Sequence, residues 1–260
     1  MDSKLRTPNS ELQTEETMDF PLKASIDEIL VQFSLSGSPV SPKKVLFWGE
    51  GAGEISSYVA GWMAGKGIDI IVLDGANRFD PYMVSSFAKK VLIPPEGLLK
   101  RIRIARAFTC YQMATLMGEQ LPSLLRQEGA TAQPQKPSVI LLGPVTTFLD
   151  EDVPEREVRP LFERSLRKVE EIATEGTPFL LFQPNPPHPP FAKGRTGGLK
   201  DSKRMYLIKR LFQFSDLVWR ICLENEEPQI VLEKGVDSVI PVLARHSASA
   251  RRRANGNPDT

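Results

Sequence analysis

The chain is poor in the residues that carry most site chemistry. Of its 260 residues only two are cysteine and two are histidine. Cys110 and Cys222 are far apart and form no C-x-x-C pair, so they supply neither a disulfide framework nor a thiolate zinc site. Cys110 instead leads the apolar series Met113, Leu116, Met117 and reads as a buried thiol. His188 lies in a proline-rich stretch and His246 near the C-terminus, so no Ser/His/Asp or other histidine-based catalytic unit can be assembled. Net charge is nearly absent as well. A formal value of +1 gives no global attraction to nucleic acid or membrane, and any such role must rest on local clusters. No apolar run approaches the roughly 20 residues of a membrane span. The opening "MDSKLRTPNSELQTEETMDF" lacks the apolar core of a signal peptide. A cytoplasmic protein without a membrane partner is therefore expected. The acidic run Asp150, Glu151, Asp152 has no EF-hand spacing and precedes a helix start, where carboxylates cap and offset the helix dipole. No metal is expected.

What is present is an ordinary globular composition, 41% hydrophobic and 25% charged, enough for one α/β domain with its own core. Residues 1–21 lack periodicity and read as a flexible tail. Residues 22–240 carry the pattern of a folded core, and residues 241–260 form a basic, low-complexity tail. Within the core, "SIDEILVQFSL" opens a short helix, with Ser25 and Glu28 spaced as a capping box. "KVLFWG", "DIIVLDGA", "SVILLGPV" and "PFLLFQ" are short continuous apolar runs bounded by turn signals, the pattern of parallel strands covered on both faces. "RIRIARAF" alternates, with Ile102, Ile104 and Ala105 expected to face inward. Helices are expected over "SSYVAGWMAGKG", "PYMVSSFAKKV" (after which Pro94-Pro95 breaks the chain), residues 110–127, residues 154–175 and residues 201–213. "DLVWRICLE" and "PQIVLEKG" read as a closing antiparallel hairpin. Strands alternating with helices predict a three-layer α/β fold, its mostly parallel sheet flanked by helices and ended by that hairpin.

One stretch carries a chemical question. In "VLFWGEGAGEISSYVAG", Gly49, Gly51 and Gly53 fall between a strand and a helix. Two ligand readings are open. A dinucleotide or S-adenosylmethionine site would use the three glycines, with Asp74 at the end of the next strand holding ribose hydroxyls. A methyltransferase of that kind usually carries an acidic residue two positions before the first glycine, and Phe47 stands there. A phosphate-binding P-loop, G-x-x-x-x-G-K-[ST], would instead place Glu54 at the last glycine, Ile55 at the lysine and Ser56 at the hydroxyl residue. The third reading is a tight strand-to-helix turn with no ligand.

"VLDGANRFDPYMVSSFAKK" followed by "LLKRIRIARAFTCYQM" resembles the ATPase core of the RecA/RadA recombinase superfamily. The elements that carry the likeness are Asp74 at a strand end, Phe79-x-Pro81, and Ile102 to Phe108 with Tyr111-Gln112. Residues 25–58 resemble the family's lead-in to its Walker A loop, and the likeness extends by order and spacing over residues 22–235. It implies a RecA-like fold in which "SVILLGPVTTFL" holds the Walker B strand and "GTPFLLFQ" the strand of a phosphate-sensing glutamine, with Gln183 at or beside that position.

Matched to the family position by position, the catalytic equipment is missing. The Walker A lysine falls at Ile55, the water-activating glutamate at Ala76 and the metal-supporting aspartate at Gly143. Phosphoryl transfer depends on those groups for positioning and charge neutralisation, so a protein without ATPase activity and without a cofactor is expected. Gly49, Gly51, Gly53, Ser56 and Asp74 remain the positions where a nucleotide would sit. The resemblance further implies DNA passing along the loop after the sensing strand. There Lys193, Arg195, Lys200, Lys203, Arg204, Lys209 and Arg210 face a single acidic residue, Asp201. Lys193, Arg195, Lys200, Lys203 and Arg204 are the expected DNA contacts, with single- or double-stranded DNA as partner. Phe191 is placed to stack on a base, and Arg251, Arg252 and Arg253 to add phosphate contacts. The expected role is an accessory or regulatory factor in recombination or repair, with an active recombinase or repair polymerase as a further partner. A methyltransferase and a ligand-free protein-binding module are the alternatives.

Overall fold

The computed structural model describes residues 23–24, 26–35, 43–129, 136–150, 152–185, 204–224 and 227–235. In chain order the elements are β1 (Lys23–Ala24), α1 (Ile26–Leu35), β2 (Lys44–Gly49), α2 (Ala52–Gly65), β3 (Ile70–Asp74), α3 (Pro81–Lys90) and α4 (Pro95–Leu99). Then follow β4 (Ile102–Arg106), α5 (Cys110–Thr115), a π turn (Leu116–Gln120), α6 (Leu121–Gly129), β5 (Ser138–Leu142) and a 3-10 turn (Thr146–Leu149). The chain continues through α7 (Glu155–Thr174), β6 (Phe179–Pro184), α8 (Met205–Phe214), β7 (Leu217–Glu224) and β8 (Glu227–Lys234).

The strands form one sheet in the order β1-β8-β7-β2-β6-β5-β3-β4. β2 through β7 are mutually parallel, while β8 runs antiparallel to β7 and β1 antiparallel to β8. The expected three-layer α/β sheet with a closing hairpin is therefore what forms. Its continuous apolar strands follow from double-sided cover. Along β2, Leu46 packs with α5–α8 on one face, whereas Val45 and Phe47 pack with α1–α4 on the other. The Phe47 and Phe182 rings stack at 5.0 Å between neighbouring strands. On α7, Val158, Phe162, Leu166, Val169 and Ile172 are buried as their spacing requires, and Gly176 stops the helix at φ 98°.

Four local expectations need correcting. α2 starts at Ala52, four residues earlier than its apolar spacing suggested. The Pro94-Pro95 break is itself followed by a short helix, α4, because Pro95 is favoured in a first turn. Residues 110–129 form one helical run interrupted by a π turn. Ile104 does not point into the core; it is 40% exposed, because β4 is the last strand of the sheet.

Connections leave β3 and β5 in opposite directions: β3 leads outward to β4, and β5 leads through α7 to β6 on its other side. In open α/β sheets such a divergence opens a crevice beyond the carboxyl ends of the two strands, where ligands usually bind. Asp74 and Leu142, paired across β3 and β5, stand at that place.

Candidate functional site

The candidate site has two parts, the 49–53 turn at the end of β2 and the crevice between β3 and β5. The turn is built by strand packing. Gly49 has φ +113°, and a Cβ on it would lie 2.3 Å from the Ile221 carbonyl oxygen of neighbouring β7. Gly51 caps α2 at φ +80°, and the Ile55 amide donates to its carbonyl at 3.0 Å, closing the first helical turn. Only Glu50 and Gly51 separate β2 from α2. A P-loop holds phosphates on a run of loop amides ahead of its helix. Here the residues that would supply that run, Ala52 to Glu54, are already helical. Ser56, where the P-loop reading puts the magnesium-binding hydroxyl, is fully buried and donates to the Gly53 carbonyl at 2.5 Å. Glu54 pairs with Arg78 at 3.6 Å, and a Cβ on Gly53 would meet the Arg78 Cβ at 3.1 Å. The segment after β3 thus lies across the mouth of α2.

That segment is held by Asp74. Its carboxylate is fully buried. One oxygen accepts from the amides of Ala76 and Arg78 at 3.1 and 3.3 Å, and the other from Phe79 at 3.0 Å. The Arg106 guanidinium, from β4, stands 3.6 Å away and also donates to the Phe79 carbonyl. Asn77 supports the turn in a left-handed conformation at φ 53°. Further on, the Asp80 amide donates to Ser57 Oγ of α2 at 2.9 Å, and the Asp80 carboxylate caps α3. Asp74 was expected beside the 49–53 turn as a ribose-binding carboxylate. β6 and β5 lie between their strands, and the fully buried Asp74 carboxylate is turned to the amides of its own loop.

The crevice itself is filled by close backbone contact. Gly75 donates its amide to the Leu142 carbonyl at 2.8 Å. Gly143, which the resemblance matches to the Walker B aspartate, has φ +64°. A Cβ there would fall 2.6 Å from Ala76 Cβ and 2.7 Å from Thr146 Oγ1. Ala76, which the resemblance matches to the activating glutamate, is therefore the wall that leaves no room for a side chain at Gly143. Gln183 is 2% exposed, and its carbonyl oxygen accepts from the Val145 amide at 3.0 Å. Its amide group donates to Thr146 Oγ1 and to the Pro184 carbonyl. It braces the turn after β5.

A scan against protein-family models finds no match, and neither does a search of curated proteins.

Of the expected DNA contacts, Lys193, Arg195, Lys200 and Lys203 lie outside the described residues, as do Phe191 and Arg251 to Arg253. Arg204 is described, and its expected role needs correction. It is 6% exposed, and its guanidinium donates to the carbonyls of Phe148, at 2.7 Å, Asp150 and Val153 while facing Glu155 at 3.2 Å. A cation so enclosed anchors the start of α8 to the turn after β5. Arg210 is likewise engaged, bonded to both oxygens of Glu163. Asp150 was expected to cap α7. Its carboxylate instead accepts from the Asp152 amide, and Pro154 occupies the cap position. Cys110 is 1% exposed, and burial pushes its thiol above the ordinary range. Among the described residues no cluster of three or more His, Cys, Asp or Glu could hold a metal ion, and no helix is long and apolar enough to cross a membrane.

Proposed function

We propose that this chain is a RecA-like protein without ATPase activity, acting as a DNA-associated accessory or regulatory factor in recombination or repair. The observation that carries the non-catalytic half is the closed glycine turn. α2 begins two residues after β2, and the neighbouring carboxylate and glutamine are turned inward to brace loops. Each position where the resembled family needs a reactive group holds a residue with a packing role: Ile55, Ala76 and Gly143. The same facts count against a methyltransferase, since the Asp74 carboxylate is fully buried and turned to its own loop. The DNA half rests on the resemblance and on the cations Lys193, Arg195, Lys200 and Lys203 in the stretch between β6 and α8. Arg204 no longer belongs to that set.

Labelled single- and double-stranded DNA titrated at several salt concentrations tests this half. Binding should weaken steeply with salt, because neutralised phosphates release counterions. Changing Lys193, Arg195 and Lys200 together to alanine should make the single-strand log–log slope shallower by about two units, at ~0.7 per contact. No binding by the parent at low salt removes DNA and leaves a protein-interaction module. A folded triple variant that binds like the parent removes this stretch.

A further inference from the structure

Leu92, in the turn between α3 and α4, is 92% exposed and has φ 58°. A lone exposed leucine is common on protein surfaces and needs no account. A leucine in the left-handed region does, because its Cβ crowds the following carbonyl oxygen and glycine usually takes this place after a helix. The turn is nonetheless well formed. The Val91 amide donates to the Phe87 carbonyl at 3.1 Å, Leu92 to that of Lys89 at 3.3 Å and Ile93 to that of Ala88 at 2.9 Å. Ile93 packs back onto the α1–α4 side of the core, and Pro94 and Pro95 stiffen the exit. Leu92 is thus held outward on a rigid tip, with Val91, 43% exposed, beside it. Glycine would remove both the strain and the apolar exposure, so the leucine stands at the expense of stability, as functional residues often do.

The tip is ringed by cations. Lys89 and Lys90 precede it in the last turn of α3. Lys66 ends the neighbouring α2, where a Cβ on Gly65 would meet the Phe87 ring at 3.4 Å, and Lys100 ends α4. All four are exposed, and among the described residues no carboxylate pairs with any of them. Of the acidic residues at this end, Asp69 is held by Arg101 at 2.8 Å, and Glu96 is exposed on α4. An aliphatic tip inside a ring of lysines complements an anionic surface. Its composition says which kind. Anchors in protein interfaces are mainly Trp, Tyr and Arg, with leucine under-represented and lysine depleted. A bilayer with anionic headgroups takes an aliphatic side chain at its acyl boundary and attracts lysines without a shaped pocket. A second copy of the same face would be repelled by like charge.

We propose that this tip docks on an anionic bilayer, with Leu92 and Val91 at the acyl boundary and Lys66, Lys89, Lys90 and Lys100 among the headgroups. No helix among the described residues is long and apolar enough to cross a membrane, and a contact at the surface needs none. Two side chains bury less apolar surface than one acyl chain, which is itself a marginal anchor, so the contact is weak and reversible. The tip lies toward the amino ends of β3 and β4, so docking leaves the carboxyl ends of the strands turned away from the bilayer. It does not depend on the DNA reading.

Flotation of the full chain with phosphatidylcholine vesicles, plain or with about one lipid in three replaced by phosphatidylglycerol, tests this. Binding should require the anionic lipid and weaken as salt rises. Leu92→Gly should weaken it at least about fivefold. The urea midpoint of that variant should stay at or above the parent's, because glycine suits the turn. Lys89→Ala with Lys90→Ala should weaken binding about 25-fold, at roughly fivefold per lysine. A parent that ignores anionic vesicles, or binds plain ones as well, overturns the proposal. So do tip variants that bind like the parent, which would assign the contact to another basic stretch such as Arg251 to Arg253. Leu92→Gly weakening duplex DNA binding while leaving vesicle binding unchanged would assign the tip to nucleic acid and overturn it too.

Discussion

Replacing Asp74 distinguishes a brace from a ligand-binding carboxylate. Its two oxygens accept three backbone N–H groups, at 3.1, 3.3 and 3.0 Å, in a fully buried setting. Hydrogen bonds to a charged group contribute about 1.5–3 kcal/mol each, and the longest of the three counts for less. Arg106 would in addition lose its carboxylate neighbour, although its own side chain is 43% exposed and water offsets part of that loss. Asp74→Ala should thus cost about 4 kcal/mol, a large share of the ~5–15 kcal/mol that holds a domain folded. Asp74→Asn keeps one carbonyl for Ala76 and Arg78 but turns a donor toward the Phe79 amide. It should cost about 2 kcal/mol by the same count. Urea unfolding followed by fluorescence of the three tryptophans reads both values. The midpoints should fall in the order parent, Asn, Ala with little change in slope. Functional carboxylates are often kept at the expense of stability, so their removal tends to be neutral or stabilising. Variants within about 0.5 kcal/mol of the parent, or above it, would refute the bracing role.

Gly143→Asp, which places an aspartate where the resemblance expects a metal-supporting one, should destabilise by roughly 3 kcal/mol, from left-handed strain plus the contact with Ala76. It should gain no affinity for Mg-ATP; calorimetry reporting such a gain would contradict the filled crevice. Arg204→Ala strips the carbonyls of Phe148, Asp150 and Val153 of a donor and should cost about 3 kcal/mol by urea unfolding, whereas an exposed DNA-contacting arginine would cost nothing measurable. Cys110 should resist a thiol reagent in the folded protein at neutral pH and react on unfolding, with the partly exposed Cys222 reacting first. Burial raises the Cys110 thiol, so the folded chain keeps a proton that the unfolded chain sheds. Stability should therefore fall as pH climbs from the ordinary thiol range through the raised native value. Flat stability across that alkaline window would contradict the burial.

The sheet was legible because its strands are short apolar runs bounded by turn residues, and α7 because Val158 to Ile172 keep one helical face over 20 residues. The closing hairpin showed in the same way, through two strand patterns with a polar turn between them. The start of α2 was not legible. "GAGE" reads as loop by propensity, and the close packing of Gly49 on Ile221 and of Gly53 on Arg78 draws it into the helix. Asp74 could be placed at a strand end, but an aspartate there has the same letter whether it binds a ligand or its own loop. The direction of its carboxylate depends on the amides of Ala76, Arg78 and Phe79 and on the left-handed Asn77. Arg204 stood in a run of cations and was counted with them. Its carbonyl partners lie 51 to 56 residues away in the chain, where periodicity carries no signal. Ile104 kept the alternation of an inward residue, and only the strand order showed that β4 is an edge.

Thermal melting of the full chain with and without Mg-ATP, and in parallel with S-adenosylmethionine, tests the closed glycine turn most directly. A ligand held at 100 times its dissociation constant stabilises the folded state by about 2.7 kcal/mol. For a domain of this size that raises Tm by roughly 5–10 °C. With α2 beginning at Ala52 and the crevice filled at Gly143, neither compound should move the midpoint. A rise of that size with Mg-ATP would mean the turn opens to hold phosphates, and the same rise with S-adenosylmethionine would mean that Asp74 releases its loop to take a ribose.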